Sequence, residues 1–173
     1  WNVKIKENFR FREDEHFEQI NEVGFTHPLT DSLDLGLGFR QVHKEDSAHE
    51  WQRENRPYAE LTVKWDLWGL KWSDRNRIVF RDFEQKKDIF RYRNRIKAGW
   101  GRDVFDLPLR PYVSEEAFIE EEFGYNQNRL SVGVVWDVNK LLDVDVFVML
   151  RSDDTASGWD DTFITGIETC LLY

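Results

Sequence analysis

The sequence predicts an all-β protein, an up-and-down antiparallel barrel of about ten strands, and three observations lead to this fold class. Apolar and polar residues alternate with period two along most of the chain, which is typical of strands with two different faces. Short polar segments that resemble turns separate the alternating runs. The 173 residues suffice for one sizeable core, and no segment has the composition of a linker. We therefore expect a single domain over residues 1–173.

The first half of the chain holds five of these strands. The first, WNVKIKENFRFR, alternates large apolar residues with lysine, asparagine and arginine. The third and fourth, SLDLGLGFRQ and AELTVKWDL, keep the same period, and the fifth follows the fourth across the dipeptide WG. The second, FEQINEVGFTH, is weaker, and its main apolar positions are Phe17, Val23 and Phe25. We expect the five strands at residues 1–13, 16–27, 32–42, 57–68 and 70–82.

The second half of the chain holds five more. The sixth, DIFRYRNRIKAGW, carries Arg91, Arg93 and Arg95 on one parity and aromatic residues on the other. The seventh, LRPYVSEEAFIE, alternates poorly, and Pro111 weakens its start. The last three, NRLSVGVVWDV, LLDVDVFVMLR and TFITGIETCLLY, alternate over most of their length. We expect these strands at residues 88–100, 109–121, 128–138, 141–151 and 161–173.

The connections between the strands predict which ends of the barrel the termini and loops occupy. HPLTDS, WG and DVNK are tight, whereas HKEDSAHEWQRENRP, FGYNQN and SDDTASGWDD are longer and polar. If the strands run up and down in order, the tight turns collect at one end together with both termini. The long loops then lie at the other end.

Closure into a barrel removes exposed strand edges, and the remaining question is which parity faces outward. Strands of about ten to thirteen residues can cross a bilayer at a tilt, and an even number returns both termini to one side. The final Tyr173 is in phase with the apolar parity. An aromatic girdle at the membrane interface is expected from Trp1, Trp65, Trp72, Trp100, Trp136 and Tyr173. We therefore predict a transmembrane barrel with its apolar parity toward lipid; the alternative is a soluble barrel that binds an apolar ligand inside.

The net charge of the chain indicates which classes of partner the protein can bind. A net charge of −9 argues against nucleic acid, because phosphate binding needs a basic surface. The basic and aromatic residues of the sixth strand are therefore interpreted as the two faces of one strand. The chain begins with Trp1, from which we expect a removed signal peptide and a location in the bacterial outer membrane. The expected surroundings are the lipid bilayer, lipopolysaccharide and the outer-membrane assembly machinery.

The polar parity predicts a lumen filled by charged side chains. Since an unpaired buried ion costs several kcal/mol, we expect these charges to pair and to occlude a narrow barrel. The alternative is a path or site for a small anion along three parallel guanidinium groups, which suit carboxylate or phosphate. The residues expected in this lumen charge network are Arg91, Arg93, Arg95, Lys97, Arg75, Arg77, Glu60, Lys64, Asp66, Asp143, Asp145 and Glu168.

Signals for catalysis or metal binding are weak. Ser47 and His49 are close together in a polar segment and are the candidates for a lipid-modifying hydrolase. His43, Glu45 and His49 are the candidates for a metal site, although their spacing in a loop is not diagnostic. An acidic segment lacks the regular spacing of a calcium loop; its carboxylates are Asp153, Asp154, Asp160 and Asp161. We expect no cofactor, no metal and no enzymatic activity.

Several segments resemble a known family. They are RNRIVFRDFEQKKDIFRYRNRIKAGW with its R-x-R repeats, RPYVSEEAFIE, and NRLSVGVVWDVNKLLDVDVFVML, with TDSLDLGLGFRQ and ENFRFRED fitting the same pattern. They are similar to the bacterial outer-membrane barrel family catalogued as domain of unknown function 2490. The resemblance spans nearly the whole chain and implies a single outer-membrane barrel without an established activity.

The function expected from these observations is non-enzymatic. We expect a structural or accessory barrel with an occluded charged lumen, which docks a partner protein through its long loops. A narrow porin-like channel for small anions is the first alternative.

Overall fold

The computed structural model describes residues 1–13, 15–45, 50–84, 87–100 and 107–173, and these residues form one closed antiparallel barrel. The ten strands are β1 (Asn2–Arg12), β2 (Glu15–Thr30), β3 (Leu33–Glu45), β4 (Trp51–Leu67), β5 (Leu70–Phe83), β6 (Ile89–Trp100), β7 (Leu109–Glu120), β8 (Gly124–Asn139), β9 (Leu142–Thr155) and β10 (Gly158–Leu172). No helix among the described residues is long and apolar enough to cross a membrane.

Each strand pairs with its neighbours in the chain, and β1 pairs with β10 to close the sheet. The closing register sets Ile5 opposite Leu171. Val3 and Tyr173 exchange backbone hydrogen bonds of 2.8 and 2.9 Å beside it. Closure leaves no edge strand that could pair with another chain. The predicted fold class, an up-and-down barrel of ten strands, is confirmed.

Both chain termini lie at one end of the barrel, which we call the terminal end; the opposite end is the distal end. The strand pairs β2–β3, β4–β5, β6–β7 and β8–β9 join at the terminal end, and the pairs β1–β2, β3–β4, β5–β6, β7–β8 and β9–β10 join at the distal end. The prediction of long distal loops is therefore wrong at three places. β3 and β4 run far into the polar segment between them, and β7–β8 and β9–β10 join by short hairpins. Backbone hydrogen bonds between paired strands do not depend on side-chain polarity, so the strands can continue beyond the membrane. A change to polar composition therefore does not mark the end of a strand.

A β-bulge in β2 changes the face on which one residue lies. Arg10 pairs with Glu18 and Phe11 pairs with His16, so Phe17 is an extra residue on β2. Phe17 and Glu18 are consequently both buried. Phe17 therefore lies inside although Val23, at an even spacing from it, lies outside, since alternation alone cannot reveal an inserted residue.

The apolar parity forms the outer wall. Val132, Val146 and Phe163 are 55%, 55% and 77% exposed, whereas the polar neighbours on the opposite parity turn inward. This is the arrangement of a barrel that faces lipid, with a polar interior. The alternative of a soluble barrel with an apolar pocket fails because the apolar side chains lie outside.

Aromatic residues form a belt at each end of the outer wall. The six predicted girdle residues lie at the terminal end, where Trp65 stacks on Trp72 with ring centroids 6.1 Å apart. Trp1 there stacks on His27 at 4.9 Å. The sequence interpretation missed the distal belt, which contains the ring pairs His16–Trp51, Phe80–Phe90 and Tyr125–Trp159. Two belts are the arrangement expected at the two interfaces of a bilayer.

Large rings inside the lumen lie over glycines on the next strand. Tyr58 is directly opposite Gly38, Tyr112 opposite Gly133, and Phe147 opposite Gly166. A Cβ at any of these three glycines would overlap the facing ring. Glycine is required there because the ring of the opposing residue occupies the space of a side chain.

Candidate functional site

The polar faces of the strands meet inside the barrel and form a network of ion pairs, which is the candidate site. On β6, Arg91, Arg93, Arg95 and Lys97 point inward, while Phe90 is 53% exposed on the outer wall. The prediction that charged side chains fill the lumen is confirmed by the ion pairs below.

Glu116 on β7 organises the first central group. Its Oε1 lies 2.6 Å from Arg75 Nη2, and both of its oxygens lie 2.9 Å from Arg93 Nη2. Arg75 also lies near Glu60, with 3.8 Å between Nε and Oε2. All three members of the Glu116 group are buried, so the carboxylate compensates charges from β5 and β6 together.

Glu22 on β2 organises the second central group. It accepts a hydrogen bond from Arg40 and one of 2.5 Å from the Tyr58 hydroxyl. Arg77 Nη2 lies 3.5 Å from Glu22 and 2.6 Å from Glu60, and its guanidinium carbon lies 3.7 Å from the centre of the Tyr58 ring. Arg77 therefore links β2, β4 and β5 across the middle of the lumen.

Two glutamates hold the arginines near the distal end. Glu54 binds Arg56 through two contacts of 2.6 Å and Arg81 through contacts of 2.5 and 3.0 Å. Glu120 binds Arg81 Nη1 at 2.5 Å and Arg91 Nε at 2.6 Å. Each carboxylate thus joins two arginines, and Arg81 joins the two carboxylates.

The pairs near the terminal end are fewer and more exposed. Lys6 lies 2.6 Å from Glu168, and Lys64 lies 2.9 Å from Asp34. The Tyr112 hydroxyl donates a hydrogen bond of 2.9 Å to Asp145. Two further contacts place predicted residues here: Lys97 lies over the Tyr112 ring, with its Nζ 3.5 Å from the centroid, and Asp143 lies 3.4 Å from Arg110.

The structure thus places each residue of the predicted network on the lumen side but does not bring all of them into ion pairs. Arg95 makes no ion pair with any described carboxylate, and Asp66 is exposed at the terminal mouth. The sequence interpretation missed the acids that neutralise the arginine ladder: Glu22, Glu54, Glu116 and Glu120. Three of these acids lie in β2 and β7, the two strands with the weakest alternation in sequence. The fourth, Glu54, was predicted to lie in the loop between the third and fourth strands.

An apolar cluster fills the rest of the central lumen. Phe17, Phe147, Met149 and Ile164 pack together and are buried. Phe118 lies among guanidinium groups, with the Arg129 carbon 4.5 Å from its ring centroid. Apolar and charged side chains together close the middle of the barrel.

Cavities remain at both ends of the lumen. Two overlapping cavities of about 600 Å³ each open at the terminal end, and both are lined by Lys6, Arg95 and Lys97. One cavity of about 430 Å³ opens at the distal end and is lined by Arg129 and Arg151 among others. We call the latter the distal vestibule. No residue lines both the distal vestibule and a terminal cavity.

The other candidates from the sequence fall into three cases. Ser47 and His49 lie outside the described residues. His43 and Glu45 lie in β3, and no group of three or more potential ligands capable of holding a metal occurs in the described residues. The supposed acidic loop is a hairpin, with Asp153 and Asp154 in β9 and Asp160 and Asp161 in β10. Asp153 lies 2.6 Å from Arg151, and Asp161 accepts a hydrogen bond of 2.6 Å from Ser152.

Solved structures with the same architecture are bacterial outer-membrane barrels. The chain is similar to the β domain of the Bordetella autotransporter BrkA, with a TM-score of 0.54, 7% identity, and coverage of 98% of this chain and 97% of that one. It matches the NanC porin with a TM-score of 0.50, 6% identity, and 98% of each chain covered.

The chain is also similar to the outer-membrane OmpT of Vibrio cholerae, at 12% identity and a TM-score of 0.47. It covers 90% of this chain, which spans only 56% of that longer protein. No curated protein matches the sequence. A family profile does match, over residues 1–162, and the chain therefore belongs to the family described as "Protein of unknown function (DUF2490)".

Proposed function

We propose that this protein is a closed outer-membrane barrel of structural or accessory type, with a lumen that charged side chains seal against solutes. The observation that carries the proposal is the buried layer between the two ends. Arg77, Phe118 and Ile164 in this layer are 2%, 1% and 1% exposed. The cavities of about 600 Å³ at the terminal end and about 430 Å³ at the distal end lie on either side of this layer.

The energetics of the central groups favour a closed state. A solute that passes must displace Glu22 or Glu116 from two arginines each. Removing one partner of a buried ion pair costs about 3–5 kcal/mol. At about 1.4 kcal/mol per tenfold change, 3 kcal/mol keeps an open arrangement below about 1% of the population.

The outer wall supports a location in the outer membrane, surrounded by lipid and lipopolysaccharide and delivered by the assembly machinery. Its apolar parity matches the lipid-facing surface of such barrels. A protein partner at the distal end has less support, because hairpins replace two of the three loops on which that idea rested.

Electrical recording in planar bilayers tests the proposal. The purified full chain is expected to give no current steps above those of the bare bilayer. A double variant, Glu116→Ala with Arg93→Ala, removes both partners of one central pair and is expected to conduct. This variant shows that the assay detects an opened lumen, and its heat-modifiable electrophoretic mobility shows that the barrel is folded.

The competing function is a narrow anion channel, which the arginine-rich lumen favours. It requires current steps in the wild-type protein, with anions preferred over cations, and loss of that preference in Arg93→Glu. Such steps in properly inserted wild-type protein would refute the closed barrel.

A further inference from the structure

The register of the barrel sets arginines opposite arginines across neighbouring strands. The directly opposed pairs on the lumen side are Arg40–Arg56, Arg75–Arg95, Arg77–Arg93 and Arg129–Arg151. Like charges directly opposite each other destabilise a sheet unless anions lie between or beside them. In the centre, glutamates of the protein supply these anions.

Arg129 is the buried exception. Glu116 is its cross-strand neighbour in the other direction, but both oxygens of that carboxylate are bound by Arg75 and Arg93. Arg129 makes no ion pair with a carboxylate in the described part of the chain, and its Nε has no hydrogen-bond partner. The residue is 8% exposed and contacts the Phe118 ring instead.

The described residues around Arg129 are more often basic than acidic. Eight basic and four acidic residues among those that the structure describes line the distal vestibule, although the whole chain carries a net charge of −9. The ion pairs Arg53–Glu84 and Arg56–Glu54 neutralise two of the basic residues in this lining. Arg151, opposite Arg129, is held by Asp153.

Some charged residues bind the lining residues without lining the vestibule themselves. They reduce the excess of basic over acidic residues but do not remove it. Glu120 and Asp153 bind lining arginines, and Arg10 binds the lining Glu18. With these three included, nine basic residues face six acidic ones in the described part of the chain. An excess of positive charge therefore remains in a confined space, where the electrostatic attraction for an anion is stronger than in open water.

We propose that the distal vestibule binds a phosphate-bearing small anion between Arg129 and Arg151. Two neighbouring guanidinium groups present planar pairs of N–H donors that match the oxygens of a phosphate. Directly opposed residues have Cβ atoms about 4.5–5.5 Å apart, so both side chains can reach one tetrahedral group. The volume of about 430 Å³ leaves room for an attached organic group, and Phe83 and Val42 provide apolar lining for it.

The site does not depend on whether the barrel conducts. A sealed barrel can bind an anion from its distal mouth, and the binding test below involves no passage through the central layer. The bilayer recording and the binding test can therefore fail separately.

Calorimetric titration of pyrophosphate into the detergent-folded full chain at low salt tests the proposal. The wild-type protein is expected to bind with a stoichiometry of one, and Arg129→Gln is expected to weaken binding by at least about tenfold, because one charge-assisted contact is lost. Arg95→Gln is the matched control. Arg95 is also a lumen arginine without an ion pair among the described carboxylates, but it lines the terminal cavities, so its replacement is expected to change the affinity less than about twofold.

A second variant keeps the test valid if Arg129→Gln folds poorly. Lys44 is exposed at the rim of the same vestibule, and Lys44→Gln is expected to weaken pyrophosphate binding severalfold while leaving the barrel folded. Absence of binding to the wild-type protein overturns the proposal, as does equal binding by Arg129→Gln and the wild type. Loss of binding in Arg95→Gln alone overturns it as well, since that result places the anion at the terminal end.

A competition arm identifies the source of the phosphate. A free phosphate compound is expected as ligand, so detergent micelles that contain lipid A should leave pyrophosphate binding unchanged. Displacement of pyrophosphate by lipid A, lost in Arg129→Gln, would support the same phosphate site with a lipopolysaccharide headgroup as its ligand.

Discussion

Replacing Glu116 by glutamine tests whether the lumen network stabilises the barrel. Glu116 contacts Arg75 at 2.6 Å and Arg93 at 2.9 Å through both oxygens, and all three side chains are buried. The glutamine keeps the shape and one acceptor oxygen but removes the charge that compensates two guanidinium groups. Leaving a buried charge without its partner costs about 3–5 kcal/mol, and because one acceptor is retained, we expect a loss of about 3 kcal/mol for this variant.

The neighbouring residue provides the matched control. Glu115 lies on the outer parity of β7, is exposed, and accepts a hydrogen bond of 2.9 Å from Asn128. Glu115→Gln makes the same chemical change one residue away but on the opposite face. It is expected to alter stability by no more than about 0.5 kcal/mol.

Urea unfolding in detergent or lipid vesicles, followed by tryptophan fluorescence, measures both variants. The reasoning is refuted if Glu116→Gln unfolds at the same urea concentration as Glu115→Gln. A third variant separates loss of the pair from loss of packing. Adding Arg93→Met to Glu116→Gln removes one of the stranded charges and is expected to recover part of the lost stability, which a double-mutant cycle quantifies.

Three further predictions follow from the same structure. Gly166→Ala is expected to destabilise the barrel by about 1–3 kcal/mol, because the new Cβ would overlap the Phe147 ring on the opposing strand. At Gly99 the atom nearest to a new Cβ lies 3.5 Å away, so Gly99→Ala is expected to be neutral or slightly stabilising. The thermal unfolding midpoints of the two variants test this difference. In a Cys170→Ser background, a spin label at Val146 is expected to be accessible to oxygen dissolved in lipid and one at Asp145 to be protected from it; equal accessibility would contradict the assignment of faces. The full chain is expected to show β-rich circular dichroism only in detergent or lipid, so a stable β-rich monomer in plain buffer would contradict the lipid-facing outer wall.

Alternation predicted most of the face assignments in this protein. Val132 and Val146 lie outside and Arg93 lies inside, as their parity requires. The same rule failed at Phe17, where one inserted residue reverses the parity in β2. It also failed at the distal strand ends, because polar composition was interpreted as loop in segments such as residues 51–56, which belong to β4.

The candidate site was predicted only in part, for a related reason. The arginine ladder of β6 is visible as a run of alternate residues. Its counterions are separate glutamates on other strands, and their identity depends on the registers that join those strands. Glu116 lies in the seventh predicted strand, which alternates poorly in sequence, and yet it is the centre of an ion-pair group.

The sequence by itself determined that this chain forms a ten-stranded barrel with an apolar wall and a charged lumen, because a period of two assigns each residue to a face regardless of its neighbours. The tertiary structure decided which charges meet. Registers fixed by closure set arginine opposite arginine and bring Glu22, Glu54, Glu116 and Glu120 between most of them. They also leave the Nε of Arg129 without a hydrogen-bond partner in the described part of the chain. Ion pairing depends on distances of a few ångströms between strands, and local sequence carries no information about those distances.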